Sequence, residues 1–324
     1  MLIPVIYFLA GLLFLIKGGD WFVDGATGIA HRFHLPELLI GATVVSIGTT
    51  LPEVMVSATS ALGGHSEIAY GNALGSVICN TALIAAVTIA VRPGRVDKEA
   101  LVTPTCFFFV SAVFFAGFAY LTGQFSRTAG LSLLIIFVVY LCFTIWQMTE
   151  RSRQESAGGP NDSPPKIRSL LTDILLLVAG AACIAVGANL LVDNGTLIAE
   201  AMGVPESVIA LTFVALGTSL PELVTAITSL AKGHSALSLG NVIGANVLNL
   251  ALVCGLSVTI APFAVPASST WMGMNASFVL DIPVMFAVML ILSVPAILKQ
   301  RLYRAQGIML LIIYFAYCVL QFAM

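Results

Sequence analysis

The chain has few charged residues. Only 9% of its 324 residues are Asp, Glu, Lys or Arg, whereas a soluble domain carries about 25%. A formal net charge of -2 and the lack of a long basic tract give no sign of a nucleic-acid partner. The six cysteines stand singly, without a C-x-x-C pair, which argues against a redox or soft-metal site. No G-x-x-x-x-G-K-[ST] phosphate loop occurs, which argues against direct coupling to ATP.

Most residues of the chain are apolar. They make up 59% of the chain, and the mean hydropathy is +1.02, which indicates an integral membrane protein. The first apolar run has no basic region before it, so we expect a first span rather than a cleaved signal peptide. Windows of about 20 mostly apolar residues predict ten membrane-spanning helices. The predicted spans are Leu2–Asp24, Pro36–Leu62, Glu67–Val91, Leu101–Leu121, Arg127–Met148, Leu170–Asp193, Pro205–Ala231, Ala236–Ile260, Met272–Leu298 and Arg304–Phe322.

The two halves of the chain repeat each other. A polar interval rich in Gly, Pro and Ser, residues 150–169, reads as a flexible linker between a first five-helix repeat, residues 1–149, and a second, residues 170–324. An offset of 169 residues holds without a gap from Gly18/Gly187 to Leu83/Leu252. Such a register over many Gly, Pro and Asn positions indicates duplication of one unit. The identical pairs include Asp24/Asp193, Pro36/Pro205, Glu37/Glu206, Thr49/Thr218, His65/His234, Asn72/Asn241 and Asn80/Asn249.

An odd number of helices per repeat predicts inverted topology, because the second copy then enters the membrane from the opposite side. Basic residues favour cytoplasmic loops. With both termini outside, the cytoplasmic loops and the linker hold 12 of the 14 Lys and Arg residues. The fold class expected is therefore an all-α integral membrane protein with ten transmembrane helices in two inverted five-helix repeats.

One hexapeptide occurs in both halves, as GTTLPE ending at Glu53 and as GTSLPE ending at Glu222. A carboxylate inside an apolar span costs about 2.5–3.5 kcal/mol, so a functional role is the first hypothesis. Pro52 and Pro221 lack an N–H group, which predicts a kink and a freed carbonyl in each helix. With the neighbouring hydroxyls these groups form a set of hard oxygen ligands suited to Ca²⁺ or Na⁺. The alternative is that the glutamates only join helices by hydrogen bonds.

A second repeated motif begins the helix after each glutamate, as GNALGS from Gly71 and GNVIGA from Gly240. Its G-x-x-x-G spacing favours close helix packing. One turn later, Ser76 and Asn80 share a face, as do their counterparts Ala245 and Asn249. The Ser76 hydroxyl and the two amides either complete the oxygen site or bond between helices.

Asp281 lies inside the ninth predicted span and has no acidic counterpart in the first half. Two hypotheses for it are equally favoured. It contacts an ion or proton route, or it pairs with a polar group of a neighbouring helix.

GTTLPE and GTSLPE, followed by GNALGSVICN and GNVIGANVLN, resemble the alpha-repeats of the calcium/cation antiporter superfamily, which holds the sodium/calcium exchangers and their bacterial relatives. The resemblance covers both halves. It implies ten helices in inverted repeats, with ions bound between helices two, three, seven and eight. It also implies Ca²⁺ ligation by Glu53 and Glu222, hydroxyl ligands from Thr49, Thr50, Thr218 and Ser219, backbone carbonyls from Ser46 and Ala215, and side-chain oxygens from Ser76, Asn80 and Asn249.

Three residues depart from the pattern of that superfamily. Ala245 stands where a serine is common, which removes a hydroxyl ligand for Na⁺. Asn249 stands where some members have an aspartate, which removes a titratable acid. Val77 is apolar, whereas its repeat partner Asn246 is an amide. The driving ion, Na⁺ or H⁺, therefore stays open from the sequence.

The function expected is secondary active antiport of Ca²⁺ against Na⁺, by alternating access at one central acidic site. The alternatives are a Ca²⁺/H⁺ antiporter, a passive cation channel with the same site, and a membrane scaffold that transports nothing. We expect a multi-pass protein of the cell (inner) membrane that is not an enzyme and uses no cofactor. Its partners are then the transported ions and the lipid bilayer, without ATP or nucleic acid.

Overall fold

The computed structural model describes residues 2–64, 66–157, 169–201, 217–266, 270–271 and 273–323. Over these residues the chain is nearly all helical, and nine of its helices are long and apolar enough to cross a membrane. The helices are α1 Leu2–Arg32, α2 Glu37–Leu62, α3 Ser66–Cys79 with Asn80–Ala85 and Ala86–Val91, α4 Lys98–Thr122, α5 Arg127–Ala157, α6 Leu170–Ala201, α7 Leu220–Lys232, α8 Ser235–Leu248 with Asn249–Cys254 and Gly255–Ile260, α9 Ser277–Asp281 with Ile282–Lys299, and α10 Arg304–Ala323. The predicted all-α membrane fold is confirmed.

Each predicted span overlaps one of these helices, but several ends differ. The seventh predicted span began at Pro205, and its residues before Gly217 lie outside the described part of the chain. Helix α1 continues eight residues beyond the predicted end, to Arg32. His31 and Arg32 form its last turn, where basic groups favour the helix dipole. Helix α5 runs to Ala157, so the first residues of the predicted linker are helical, and residues 158–168 of that linker lie outside the described part.

Short antiparallel pairings at the two ends of the bundle show that the two repeats have opposite orientations. Strand β1 (Gln124–Phe125), between α4 and α5, pairs with β2 (Phe263–Ala264), which follows α8. At the other end, Arg95 between α3 and α4 pairs with Arg301 between α9 and α10. Each pairing joins the loop after the third helix of one repeat to the loop after the fourth helix of the other. The equivalent loops of the two repeats therefore lie at opposite ends of the bundle. A further pair, β3 (Thr270–Trp271) and β4 (Met274–Asn275), precedes α9.

Helices α1 and α6 pack against each other along a seam of glycines. A Cβ atom on Gly187 would lie 2.9 Å from the carbonyl oxygen of Gly11, and one on Gly11 would lie 2.9 Å from that of Gly187. Gly18 and Gly180 meet in the same reciprocal way, at 3.0 and 2.8 Å. At the 169-residue offset Gly11 corresponds to Gly180 and Gly18 to Gly187, so the two contacts are equivalent in the two repeats. Small residues allow such close backbone approach in membrane helices.

The other helices surround α3 and α8, which are the most deeply buried spans, whereas α1, α6 and α10 are mostly exposed on their outer faces. Both central helices contain a π-helical segment, Asn80–Ala85 in α3 and Asn249–Cys254 in α8. Helices α2 and α9 contain one each, at Gly41–Val45 and Ser277–Asp281. A π segment leaves backbone groups without their usual partners and is frequent at functional sites. In α3 and α8 it begins at the predicted ligands Asn80 and Asn249.

Candidate functional site

The two repeated glutamates meet in the interior of the bundle. Glu53 comes from α2 and Glu222 from the first turn of α7, and both are fully buried. Their carboxyl groups are close enough to interact electrostatically. Neither oxygen of Glu53 and only one of Glu222 has a hydrogen-bond partner among the described residues. Buried carboxylates without partners are costly, so this pair calls for a cation or for protons.

The prolines beside the glutamates have different settings. The α-helical part of α2 runs through Pro52. On the other side, Thr218 and Ser219 form a turn, and α7 begins only at Leu220, with Pro221 in its first turn. Proline is well tolerated there because the first turn lacks acceptors for its N–H groups. Pro221 therefore lies at the start of α7 and Pro52 inside a continuous helix, and the kink expected at each proline stays a prediction.

Hydroxyl and amide groups cross between the repeats in a symmetric pattern. The Thr49 hydroxyl of α2 donates to the Asn241 Oδ1 of α8 at 3.2 Å. Its repeat partner Thr218 donates to the Asn72 Oδ1 of α3, also at 3.2 Å. Thr50 donates to Glu222 Oε1 at 3.3 Å. Three of the hydroxyls predicted as ligands thus lie at the contact between the two halves.

The remaining predicted ligands within the described residues are buried. Ser46, Ser76, Asn80, Ser219 and Asn249 are each less than 5% exposed. The amide groups of Asn80 and Asn249 and the hydroxyl of Ser219 have no hydrogen-bond partner in the described part of the chain. The Ser46 carbonyl accepts a hydrogen bond from Thr49 at 3.3 Å. Ala215 lies outside the described residues.

Asn72 and Asn241 were not among the residues that the sequence proposed as ligands, although they take part in the contact. The signal was present, because the dipeptide Gly-Asn occurs in both halves at the 169-residue offset. The spacing alone favoured packing, since it does not tell which side chain the amide meets. The structure shows that each amide meets a threonine of the opposite repeat.

One polar contact breaks the symmetry. Asn246 of α8 donates to the Thr81 hydroxyl at 2.7 Å and to the Met289 Sδ at 3.3 Å. The equivalent positions in the other repeat are Val77 and Leu250, which are both apolar. The Asn246 Oδ1 is buried and has no partner within the described ranges. The two repeats therefore differ at this position of their third helices.

Asp281 is bound by the neighbouring helix. Its Oδ1 accepts hydrogen bonds from Gln321 at 2.6 Å and from Tyr317 at 3.1 Å, both of α10. This is the second of the two hypotheses given for it, pairing with polar groups of an adjacent span. In the ranges that the structure describes, no three His, Cys, Asp or Glu side chains form a metal-binding group. Any cation at the centre would therefore depend on hydroxyl, amide and carbonyl oxygens besides the two glutamates.

A cavity of about 740 Å³ lies between the α1/α6 pair and the second helices of the two repeats. Its wall includes Gly48 and Pro52 of α2, together with Gly217, Thr218 and Pro221. The described lining is mostly apolar, with Asn189, Asp193 and Thr218 as its polar side chains. The cavity therefore reaches one of the predicted hydroxyl ligands from the side of the bundle.

Known proteins are similar to this chain in sequence and in structure. The family described as Sodium/calcium exchanger protein matches residues 3–146 and 172–323. The chain is 31% identical to sodium/calcium exchanger MaX1 of Methanosarcina acetivorans, over 97% of both chains. It is 32% identical to putative antiporter CaxA of Alkalimonas amylolytica, over the full length of both. The structure of the sodium-calcium exchanger NCX_Mj soaked with 10 mM Na⁺ and zero Ca²⁺ matches with a TM-score of 0.81 and 32% identity, over 98% of each chain. The inverted helices, the paired glutamate motifs and these matches together show that the chain belongs to the sodium/calcium exchanger protein family.

Proposed function

We propose that the protein is a secondary active antiporter that exchanges Ca²⁺ for Na⁺ across the membrane, by alternating access at one central acidic site. The pair of buried glutamates carries the proposal. Two ionised carboxylates match the charge of one Ca²⁺ or of two monovalent ions, so the same site can hold either cargo in turn. The names of MaX1 and NCX_Mj as sodium/calcium exchangers support the choice of ions.

The groups around the glutamates suit a hard cation. Ca²⁺ takes six to eight oxygen ligands from carboxylates, carbonyls and amides. The buried amides and the Ser46 carbonyl supply oxygens of these kinds, and the buried hydroxyls add further oxygen donors. We propose as ligands the set given above, namely Glu53, Glu222, Thr49, Thr50, Thr218, Ser219, Ser46, Ala215, Ser76, Asn80 and Asn249. The ions are cargo, and no cofactor or enzymatic step is part of the proposal.

Alternating access is supported by the symmetry of the site. Each repeat contributes one glutamate from its second helix, and the repeats enter the bundle from opposite ends. Rocking of one repeat against the other would expose such a site to one side at a time. The cavity between α1/α6 and the second helices reaches Thr218, one of the proposed ligands.

Radiolabelled Ca²⁺ uptake into proteoliposomes tests the proposal. Vesicles are loaded with Na⁺, with K⁺, or with a pH gradient alone, and vesicles without protein serve as the control. We expect uptake only with Na⁺ inside. Uptake driven by the pH gradient alone would replace Na⁺ with H⁺ as the driving ion. Uptake without any exchangeable counter-ion would replace antiport with a passive channel, and no uptake under any condition would favour the scaffold alternative.

We further propose that the protein lies in the cell (inner) membrane with both termini extracytoplasmic. The loops that contain Arg95 and Arg301 pair at one end of the bundle, and Arg92 of that end reaches the Leu230 carbonyl near the end of α7. Basic residues thus gather at the end assigned to the cytoplasm. Fusion of a reporter that is active only outside the cytoplasm to the C-terminus should give signal, and fusion within residues 158–168 should give none.

A further inference from the structure

We propose that Asn72 and Asn241 are positioning residues that set the direction of the threonine hydroxyl hydrogens at the ion site. The inference rests on the proposed function, because it assumes that the threonines bind the cargo. A hydroxyl can ligate a cation only through a lone pair, so its hydrogen must point at some other acceptor. In this site the amide oxygens provide that acceptor.

The orientation of the Asn72 amide is determined by its own partners. Its Nδ2 lies 3.3 Å from the backbone carbonyl oxygen of Glu53 and 2.8 Å from the Ser57 Oγ. A carbonyl oxygen can only accept, so the amide nitrogen must be on that side. The amide oxygen therefore faces Thr218, at 3.2 Å, and the Thr218 hydroxyl has to donate to it. The lone pairs of the Thr218 hydroxyl are then left for a cation.

The Thr49 hydroxyl has one hydrogen and two acceptors. The Ser46 carbonyl oxygen lies at 3.3 Å and the Asn241 Oδ1 at 3.2 Å, and all three residues are almost completely buried. A hydrogen donated to Ser46 would occupy a carbonyl that we propose as a ligand. A hydrogen donated to Asn241 leaves both the Ser46 carbonyl and the Thr49 lone pairs available. Asn241 therefore prepares two ligands without touching the ion.

The two asparagines differ in the hydrogen bonds that their amide nitrogens make. Ser57, which bonds to Asn72, corresponds to Ala226 in the second repeat, which has no hydroxyl. Accordingly the Asn241 Nδ2 has no hydrogen-bond partner within the described residues. Replacement of Asn72 would also disturb the contact between α3 and α2. Replacement of Asn241 removes little besides the acceptor for Thr49, so Asn241 gives the cleaner test.

A double-mutant cycle on Thr49 and Asn241 tests the inference. The variants are Asn241→Leu, Thr49→Val and the double variant, with Ser238→Ala as the matched control. Ser238 is a buried polar residue one turn before Asn241 on α8, and its hydroxyl has no partner in the described part of the chain. The readouts are the KM for Ca²⁺ and the maximal rate of Na⁺-driven uptake, together with Ca²⁺ binding to purified protein by calorimetry.

We expect Asn241→Leu to raise the KM and the dissociation constant for Ca²⁺ about 3- to 10-fold, as for one lost hydrogen bond. Thr49→Val also removes a proposed ligand, so its effect should be at least as large. The maximal rate should stay within about twofold. The double variant should be no worse than the poorer single variant, because both changes remove the same contact. Multiplying effects, or an unchanged KM in Asn241→Leu, would overturn the inference while leaving the proposed function intact. A wild-type protein that neither binds nor transports Ca²⁺ would overturn the proposed function itself.

Thr218 and Asn72, the mirror pair of Thr49 and Asn241, keep the inference testable if Asn241→Leu does not fold. Thr218→Val and Asn72→Leu form the equivalent double-mutant cycle. Ser57→Ala measures how much of the Asn72→Leu effect comes from losing the hydrogen bond between Asn72 and Ser57 of α2. After correction for Ser57→Ala, the effects of the pair should again fail to multiply. Independent effects in this second cycle would overturn the inference for the mirror pair and, by symmetry, for the first.

Discussion

Replacement of either central glutamate by glutamine should abolish most Ca²⁺ binding while it preserves the shape of the site. Glu53 and Glu222 are fully buried, and together they balance the charge of one Ca²⁺. Loss of one partner of a buried charge pair costs about 2–5 kcal/mol. At about 1.4 kcal/mol for each factor of ten, Glu53→Gln and Glu222→Gln should weaken Ca²⁺ binding roughly 30-fold to 4,000-fold. In Glu222→Gln the new side chain keeps a carbonyl oxygen that can accept the Thr50 hydrogen bond, so the loss there is mainly one of charge.

Thermal unfolding separates ion binding from a purely structural role. A ligand at 100 times its dissociation constant stabilises the folded state by about 2.7 kcal/mol, so Ca²⁺ should raise the melting temperature of the wild-type protein. Both glutamine variants should lose that rise. In a chelator they should melt no lower than the wild type, because each variant removes one of two buried like charges.

Glu99→Gln is the control for this experiment, since the Glu99 side chain is 84% exposed at the start of α4. It should show wild-type uptake and a wild-type response to Ca²⁺. If Glu53→Gln kept uptake within threefold of wild type and still gained stability from Ca²⁺, the glutamates would serve only to join helices. A glutamine variant that melted well below the wild type in chelator would point to the same structural role.

Three other results should follow. Acidification should slow Ca²⁺ uptake, since protons compete for the two central carboxylates; undiminished uptake in vesicles clamped near the reference pKa of Glu, about 4.3, would contradict carboxylate ligation. Ala245→Ser restores the hydroxyl that Ser76 supplies in the other repeat, so the Na⁺ concentration for half-maximal exchange should fall several-fold while the KM for Ca²⁺ stays within about twofold. An unchanged Na⁺ dependence would remove Ala245 as a determinant of ion choice. Gly180→Ala should lower the thermal stability and yield of the protein, because its Cβ would lie 2.7 Å from the Phe22 Cα, whereas Gly117→Ala, with no atom within 4 Å, should be tolerated. Equal melting temperatures for the two alanine variants would contradict the tight packing of the α1/α6 seam.

Much of the fold could be predicted because duplication leaves a strong trace. The 169-residue offset and the odd helix count gave the inverted repeats, and the loop pairings Gln124–Phe125 with Phe263–Ala264 and Arg95 with Arg301 match them. Helix ends were less accurate. Hydropathy placed the end of α1 at Asp24, yet the helix continues to Arg32. Ala26, Thr27 and Ala30 of the added turns are buried, and the basic residues of the last turn favour the helix dipole.

The sequence predicted which residues form the site better than it predicted which side chains they contact. The hexapeptides identify the glutamates and their hydroxyls, since acids are rare in apolar spans. The sequence does not tell that Thr49 meets Asn241 or that Asp281 meets Gln321. Such contacts depend on how helices distant in sequence rotate against each other, and π segments within α2, α3, α8 and α9 change that rotation. The ligand set itself stays a prediction.

The crossed pairs of threonine and asparagine have a consequence for the origin of the chain. Each repeat supplies a hydroxyl whose acceptor belongs to the other repeat, as Thr49 with Asn241 and Thr218 with Asn72. A single five-helix unit would have one glutamate, one hydroxyl without its amide and one amide without its hydroxyl. Two identical units could complete the site only if they were inserted in opposite directions. Before the gene duplication, two copies of one such unit would therefore have needed opposite orientations in the membrane to form these pairs.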